Sequence, residues 1–121
     1  MELVREADMA IEVCPVSNQV LRFVSDLRDH PALSYFLNGI PVTLSSDDPT
    51  IFGNHGLSYD FWAAAISWKL DLRALKKLAS NSLQYSALQG QEKLDAVARW
   101  EKAWEAFILK EREVPLAGPT L

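Results

Sequence analysis

A chain of 121 residues, 49% hydrophobic and 23% charged, has room for one modest core. Twelve Lys and Arg against sixteen Asp and Glu leave a net charge of -4 with no basic stripe, which argues against a nucleic-acid partner. The single cysteine excludes an internal disulfide framework, no apolar run is long enough to span a bilayer, and the charged opening (Glu2, Arg5, Glu6, Asp8) does not read as a secretory signal.

Leu3, Val4 and Ala7 read as the end of an amphipathic helix. Met9 to Cys14 is a short apolar run closed by Pro15, which predicts a buried strand. Ser17 or Asn18 then offers an N-cap for a helix with Val20, Leu21, Val24 and Leu27 on one face, ended by His30-Pro31. A helical turn over Ala32 to Leu37 stops at Asn38-Gly39. Pro41 to Ser45 is a second strand, and the loop from Asp47 to Gly56 is punctuated by Pro49, Gly53 and Gly56. Ser58 is a cap for a helix through Phe61, Trp62, Ala65, Ile66 and Trp68. Asp71 caps another, with Leu72, Leu75, Leu78 and Ala79 on its buried side. A long helix follows Gly90, with Leu94, Val97, Trp104 and Ile108 in register, and Lys110 to Glu113 form its solvated end. Residues 115–121, with Gly118 and Pro119, are expected to be a disordered tail, leaving one domain over 1–114.

Strands alternating with helices imply an α/β fold with a parallel sheet and right-handed crossovers. Two parallel strands cannot cover both their faces and both their edges. A whole β/α barrel takes roughly 250 residues, so the pattern points to a portion of one.

The polar groups near the strand ends are the candidates for chemistry. Asp47-Asp48-Pro49 follows the second strand, at the end where β/α barrels keep their catalytic groups. Paired acids there suit metal ligation or acid–base work. Equally, Asp48 is a good cap for a turn opening at Pro49. Cys14 ends the first strand, either as a nucleophile served by His30 or His55 or as a buried apolar cysteine. His30 and His55 read as loop histidines, and neither has a partner at metal-ligand spacing. Trp62, Trp68, Trp100 and Trp104 have helical spacing that suits packing better than a stacking surface.

Four segments together carry a resemblance. Ile11-Glu12-Val13-Cys14-Pro15-Val16-Ser17-Asn18-Gln19-Val20-Leu21 resembles the seventh-strand segment of adenosine deaminase-related growth factors. Leu44-Ser45-Ser46-Asp47-Asp48-Pro49 resembles the eighth-strand motif of the wider adenosine and AMP deaminase superfamily. Phe52-Gly53 with Gly56-Leu57-Ser58-Tyr59-Asp60-Phe61, and Leu75-Lys76-Lys77-Leu78-Ala79-Ser80-Asn81-Ser82 with Tyr85-Ser86, are similar to the growth-factor branch. The likeness runs from about Glu2 to Ile108.

The resemblance implies the C-terminal portion of a TIM-type β/α barrel, its last two strands plus helices. It implies one zinc ion, with Asp47 as a zinc ligand in the catalytic centre and Asp48 hydrogen-bonded to N7 of adenosine or a related purine nucleoside. Since N7 only accepts, Asp48 would have to carry a proton when substrate is bound. The activity implied is hydrolysis of adenosine to inosine and ammonia, in an extracellular parent that is a homodimer. The histidine ligands and the glutamate shuttle of the family fall outside these residues, so the chain alone is expected to be inactive. The alternative is a non-catalytic remnant acting as an interaction module.

Overall fold

The computed structural model describes residues 2–53 and 56–113, in two compact units divided between Ser86 and Ala87. The expected tail from Pro115 and His55 both lie outside the described residues. The first unit carries α1 (Glu2–Glu6), β1 (Ile11–Val13), α2 (Pro15–Val20), a 3-10 turn (Leu27–Asp29), α3 (Pro31–Leu37), β2 (Val42–Leu44), α4 (Ser58–Ser67) and α5 (Leu72–Gln84). The second carries α6 (Gly90–Glu113).

β1 and β2 pair in parallel, with Ile11 opposite Val42, Glu12 opposite Thr43 and Val13 opposite Leu44. All three residues of β2 are buried, as a parallel strand covered on both faces requires. The main core joins Val13, Val42 and Leu44 of the strands to Ala32 of α3, Ala64 and Trp68 beside α4, and Leu78 of α5. Trp68 fills this core without an orphaned polar atom, because its indole N–H donates to the Leu27 carbonyl at 2.9 Å. A second cluster of Val16, Leu27 and Ala63 lies under Val24 and Phe52. Tyr85, just past α5, donates its hydroxyl to Asp8 at 2.6 Å, which pushes the Tyr85 pKa up to about 12.

Several local expectations are corrected. The helix placed from Ser17 or Asn18 to Leu27 is instead α2, which starts at Pro15 and ends at Val20. Cys14 takes the cap position, and Pro15, whose ring presets the helical φ and whose missing N–H needs no partner, opens the first turn. Ser17 is therefore inside the helix. Leu21 is left 54% exposed and Phe23 76% exposed, so the stripe drawn through Leu21 is not a buried face.

α2 ends in a Schellman motif, with Phe23 N–H bonded to the Asn18 carbonyl, Arg22 N–H to that of Gln19, and Arg22 in the left-handed region at φ 62°. The same pattern closes α1 at Asp8 and Met9, and α3 at Gly39 and Ile40; α4 ends alike, with Lys69 left-handed and the Leu70 N–H bonded to the Ala65 carbonyl. Each motif puts an apolar residue just after the left-handed one, and only α3 uses the glycine that marks such a stop in a sequence.

Ser58 is the first residue of α4 rather than its cap, and Leu57 holds the cap position with no side-chain bond. Asp71 does cap α5, accepting from the Ala74 N–H at 2.8 Å. Leu72, assigned to the buried side of α5, is 47% exposed, while Leu78 is fully buried. Trp62 is 56% exposed and stacks on Tyr59, unlike the packed Trp68. Along α6, Trp100 stacks on Trp104, and Trp104 meets Phe107. Lys110, Glu111 and Arg112 are exposed, as a solvated helix end should be.

Candidate active site at the ends of the two strands

The two strands end side by side. Ser45 N–H bonds to the Val13 carbonyl at 2.8 Å, so the residues after β2 leave the sheet next to those after β1. On the β1 side the chain turns at once into α2. Its first turn needs partners for its free N–H groups, and Asp60, fully buried on α4, supplies one by accepting from Val16 N–H at 3.2 Å. One residue on, the buried Ser17 donates its hydroxyl to Asp47 Oδ2 at 2.8 Å.

On the β2 side Asp47 stands in the left-handed region at φ 53°, a conformation that aspartate tolerates better than most residues but that still costs energy. The chain then folds into a turn in which the Asp48 carbonyl accepts from the N–H groups of Ile51 and Phe52, at 3.0 and 3.3 Å. A turn does open at Pro49, and the bonds that close it are made by the Asp48 backbone carbonyl. Asp47 and Asp48 are both exposed. The arrangement is thus two exposed carboxylates in sequence, the first of them anchored on one oxygen by a buried serine.

Cys14 is half-buried beside this point. Burial is the main cause that pushes its thiol pKa up, the charge of Asp47 adds to it, and a hydrogen bond with Ser45 works the other way. A thiol held in its protonated form is a poor nucleophile. Nor does His30 serve it. That histidine does lie between elements, just ahead of α3, but it is only 7% exposed: its Nδ1 accepts from the Ala32 N–H at 3.0 Å as the cap of α3, and its other ring nitrogen, which must then carry the proton, donates to Asn18 Oδ1 at 2.9 Å. Desolvation lowers its pKa, which keeps it neutral. Burial likewise raises the Asp60 pKa, against the hydrogen bond from Val16.

Asp47 offers a hard oxygen donor with its geometry fixed, which suits one position around a metal. Among the described residues no three His, Cys, Asp or Glu side chains come together at a metal-binding distance. The structure places Asp47 and Asp48 side by side past the end of β2, and behind Asp47 it puts residues that the sequence does not single out. Ser17 reads as a cap, and no local signal shows a bond from residue 17 to Asp47 or from Val16 to Asp60, thirty and forty-four residues away.

Comparison with known proteins gives the family and the fold. The sequence profile of the adenosine deaminase family matches residues 1–102. Adenosine deaminase 2 of Sus scrofa is 52% identical over 104 residues, covering 84% of this chain and 20% of that protein. Adenosine deaminase 2 of Dictyostelium discoideum is 48% identical over 109 residues, covering 89% of this chain and again 20% of the relative. The chain therefore spans about a fifth of the length of the curated relatives it matches. In solved structures, the adenine deaminase of Arthrobacter aurescens superposes with a TM-score of 0.73 at 31% identity, over 84% of this chain and 32% of that one. The N6-mAMP deaminase of Arabidopsis superposes with a TM-score of 0.75 at 20% identity, over 82% and 29%, a likeness of fold. The two strands and their helices are the C-terminal portion of a TIM-type β/α barrel, and the chain belongs to the adenosine deaminase family.

Proposed function

We propose that this chain is the part of a zinc-dependent adenosine deaminase that supplies two carboxylates to its site, Asp47 to the metal and Asp48 to N7 of the purine. The observation that carries the reading is the fixing of Asp47. It stands past the end of β2 in a sparsely populated backbone conformation, with one oxygen held by a buried serine. Such strain persists where the surrounding structure holds it, often at functional sites, and the C-terminal strand ends are where barrel enzymes keep their chemistry.

The chemistry zinc supplies when bound is activation of a water at neutral pH. Asp47 would hold its position there through one oxygen while Ser17 restrains the other. Asp48 would orient adenosine or a related purine nucleoside. Because N7 accepts and does not donate, that hydrogen bond needs a donor on the side chain of residue 48. A catalytic zinc takes about three protein ligands, so the remaining ligands belong to polypeptide outside this chain, and the chain by itself makes no inosine. An extracellular, homodimeric parent rests on the same family likeness.

The test is a full-length chimera. The matching segment of the Dictyostelium discoideum adenosine deaminase 2 is replaced by residues 1–102 of this chain, and inosine formation and zinc content are measured. The chimera is expected to deaminate adenosine, and Asp47→Ala is expected to remove both the activity and the retained zinc. Asp48→Asn keeps a donor and should retain more activity than Asp48→Ala. Unchanged zinc and activity in Asp47→Ala would remove that residue from the site, and equal losses in the two residue-48 variants would remove the donor role. Inosine made by the 121-residue chain alone would contradict the partial-site reading.

A further inference from the structure

Asn81 is a buried amide that the site at the strand ends does not use. It lies on α5 three residues after Leu78, on the same face, and is 1% exposed. Its Nδ2 donates to the Val42 carbonyl at 2.8 Å. A carbonyl only accepts, so the amide's orientation is fixed and Oδ1 faces the other way. That Oδ1 is buried and has no hydrogen-bond partner among the described residues. Orphaned buried acceptors are few in native proteins, and each asks for a cause.

The position of Val42 supplies one. In a parallel ladder successive residues send their backbone groups to alternate sides. Ile11 N–H bonds to the Pro41 carbonyl and Ser45 N–H to the Val13 carbonyl, so Pro41, Thr43 and Ser45 face β1. Val42 and Leu44 turn theirs to the opposite edge. The described sheet has two strands, so that edge has no strand on it, although every residue of β2 is buried. The Asn81 carboxamide occupies the place of one peptide on this edge. It satisfies the Val42 carbonyl and leaves Oδ1 as a buried acceptor without a partner among the described residues.

We propose that Asn81 is a docking acceptor for the strand that closes the barrel. An extended segment pairs along the free edge of β2 and donates a backbone N–H into Asn81 Oδ1. The inference rests on the barrel reading and adds the contact by which the two parts lock. Its occupant is the barrel strand next to β2, carried by polypeptide outside this chain. Two facts favour that source over a second copy of the chain: the relatives are about five times as long as the part matched here, and a closed barrel leaves no edge unpaired.

The chimera described above tests this separately from its activity. Loss of deamination with normal folding bears on the site, whereas the Asn81 contact is read by crystallography and by amide hydrogen exchange. A crystal structure is expected to show a main-chain nitrogen of the neighbouring strand about 2.7–3.2 Å from Asn81 Oδ1. Asn81→Leu removes both bonds and should speed exchange of that strand's amide by about tenfold, relative to the β1–β2 amides. Asn81→Asp keeps an acceptor toward the strand and loses the donor toward Val42, so it should hold that one amide's protection better than Asn81→Leu. A water, a side chain or a second chimera molecule on Oδ1 overturns the proposal. So does equal loss of protection in the two variants, or a wild-type chimera that does not fold, since the edge then does not accept the relative's strand. If the variants fail to fold, the crystal structure of the wild-type chimera still decides.

Discussion

Ser17 Oγ donates to Asp47 Oδ2 at 2.8 Å across thirty residues of sequence, tying the first turn of α2 to the residue that leaves β2. The donor is buried and the carboxylate exposed, so the bond is partly screened. An ordinary net value of about 1 kcal/mol is the right scale for it. Ser17→Ala is expected to lower stability by that amount in a urea or thermal melt. A double-mutant cycle with Asp47→Ala isolates the pair, and a coupling of at least ~0.5 kcal/mol is expected. No coupling would mean that Asp47 is held by its backbone alone.

How far the site could be read in advance follows from the range of each interaction. The position of Asp47 and Asp48 past a strand end and at a turn was legible because strand, double acid and proline are adjacent in sequence. Asp71 was legible because a cap acts three residues away. Ser17 and Asp60 were not, since their partners come from other elements. The end of α2 was hidden for a different reason: its left-handed stop is Arg22, where a glycine would have announced it, as Gly39 does for α3. His30-Pro31 reads as a break, and it is one, but the cap made by the imidazole has no signal of its own. The break is a helix start, and the imidazole is its cap.

His30 makes stability depend on pH. Folding lowers its pKa from the ordinary 6.5 by desolvation. Below that value the unfolded chain binds the proton more readily than the folded one, so acid favours unfolding. The His30 contribution is complete above about pH 6.5 and is lost as the pH falls from there toward the lower folded value. The physical event is protonation of Nδ1, which removes the acceptor for Ala32 N–H. His30→Asn keeps a capping oxygen without titrating near neutrality. Melts at pH 7.5 and 5.5 should show a smaller acid-induced drop in Tm for this variant than for the wild-type chain; parallel drops would clear His30 of the effect.

Asp60 works in the opposite sense. Burial raises its pKa, so the neutral form is the one its surroundings favour. Its contribution therefore becomes more favourable as the pH falls through the raised folded value toward 3.8. Asp60→Asn keeps an acceptor for Val16 N–H and carries no charge. It is expected to raise Tm at pH 7 and to flatten the acid side of the profile. Asp60→Ala leaves that N–H unpaired in the interior, at a cost of about 1–3 kcal/mol. If Asn and Ala destabilise alike at pH 7, the carboxylate is bound as an anion, and its charge outweighs its burial.

The helix stops offer stabilising changes at sites that touch nothing catalytic. Arg22 and Lys69 hold left-handed conformations, at φ 62° and 52°, at the ends of α2 and α4. For a residue with a Cβ that conformation costs roughly 1–2 kcal/mol. Glycine removes the cost but adds about 0.5–1 kcal/mol of backbone entropy in the unfolded chain. The conformational term is the larger, so Arg22→Gly and Lys69→Gly should each stabilise the chain by up to about 1 kcal/mol. Both side chains are exposed, so little packing is lost. The changes sit at the ends of different helices and should be nearly additive. Arg22→Ala is the control: it removes the same side chain, keeps the Cβ and should gain nothing. Equal melts for Arg22→Gly and Arg22→Ala would show that the left-handed turn is not under strain in solution.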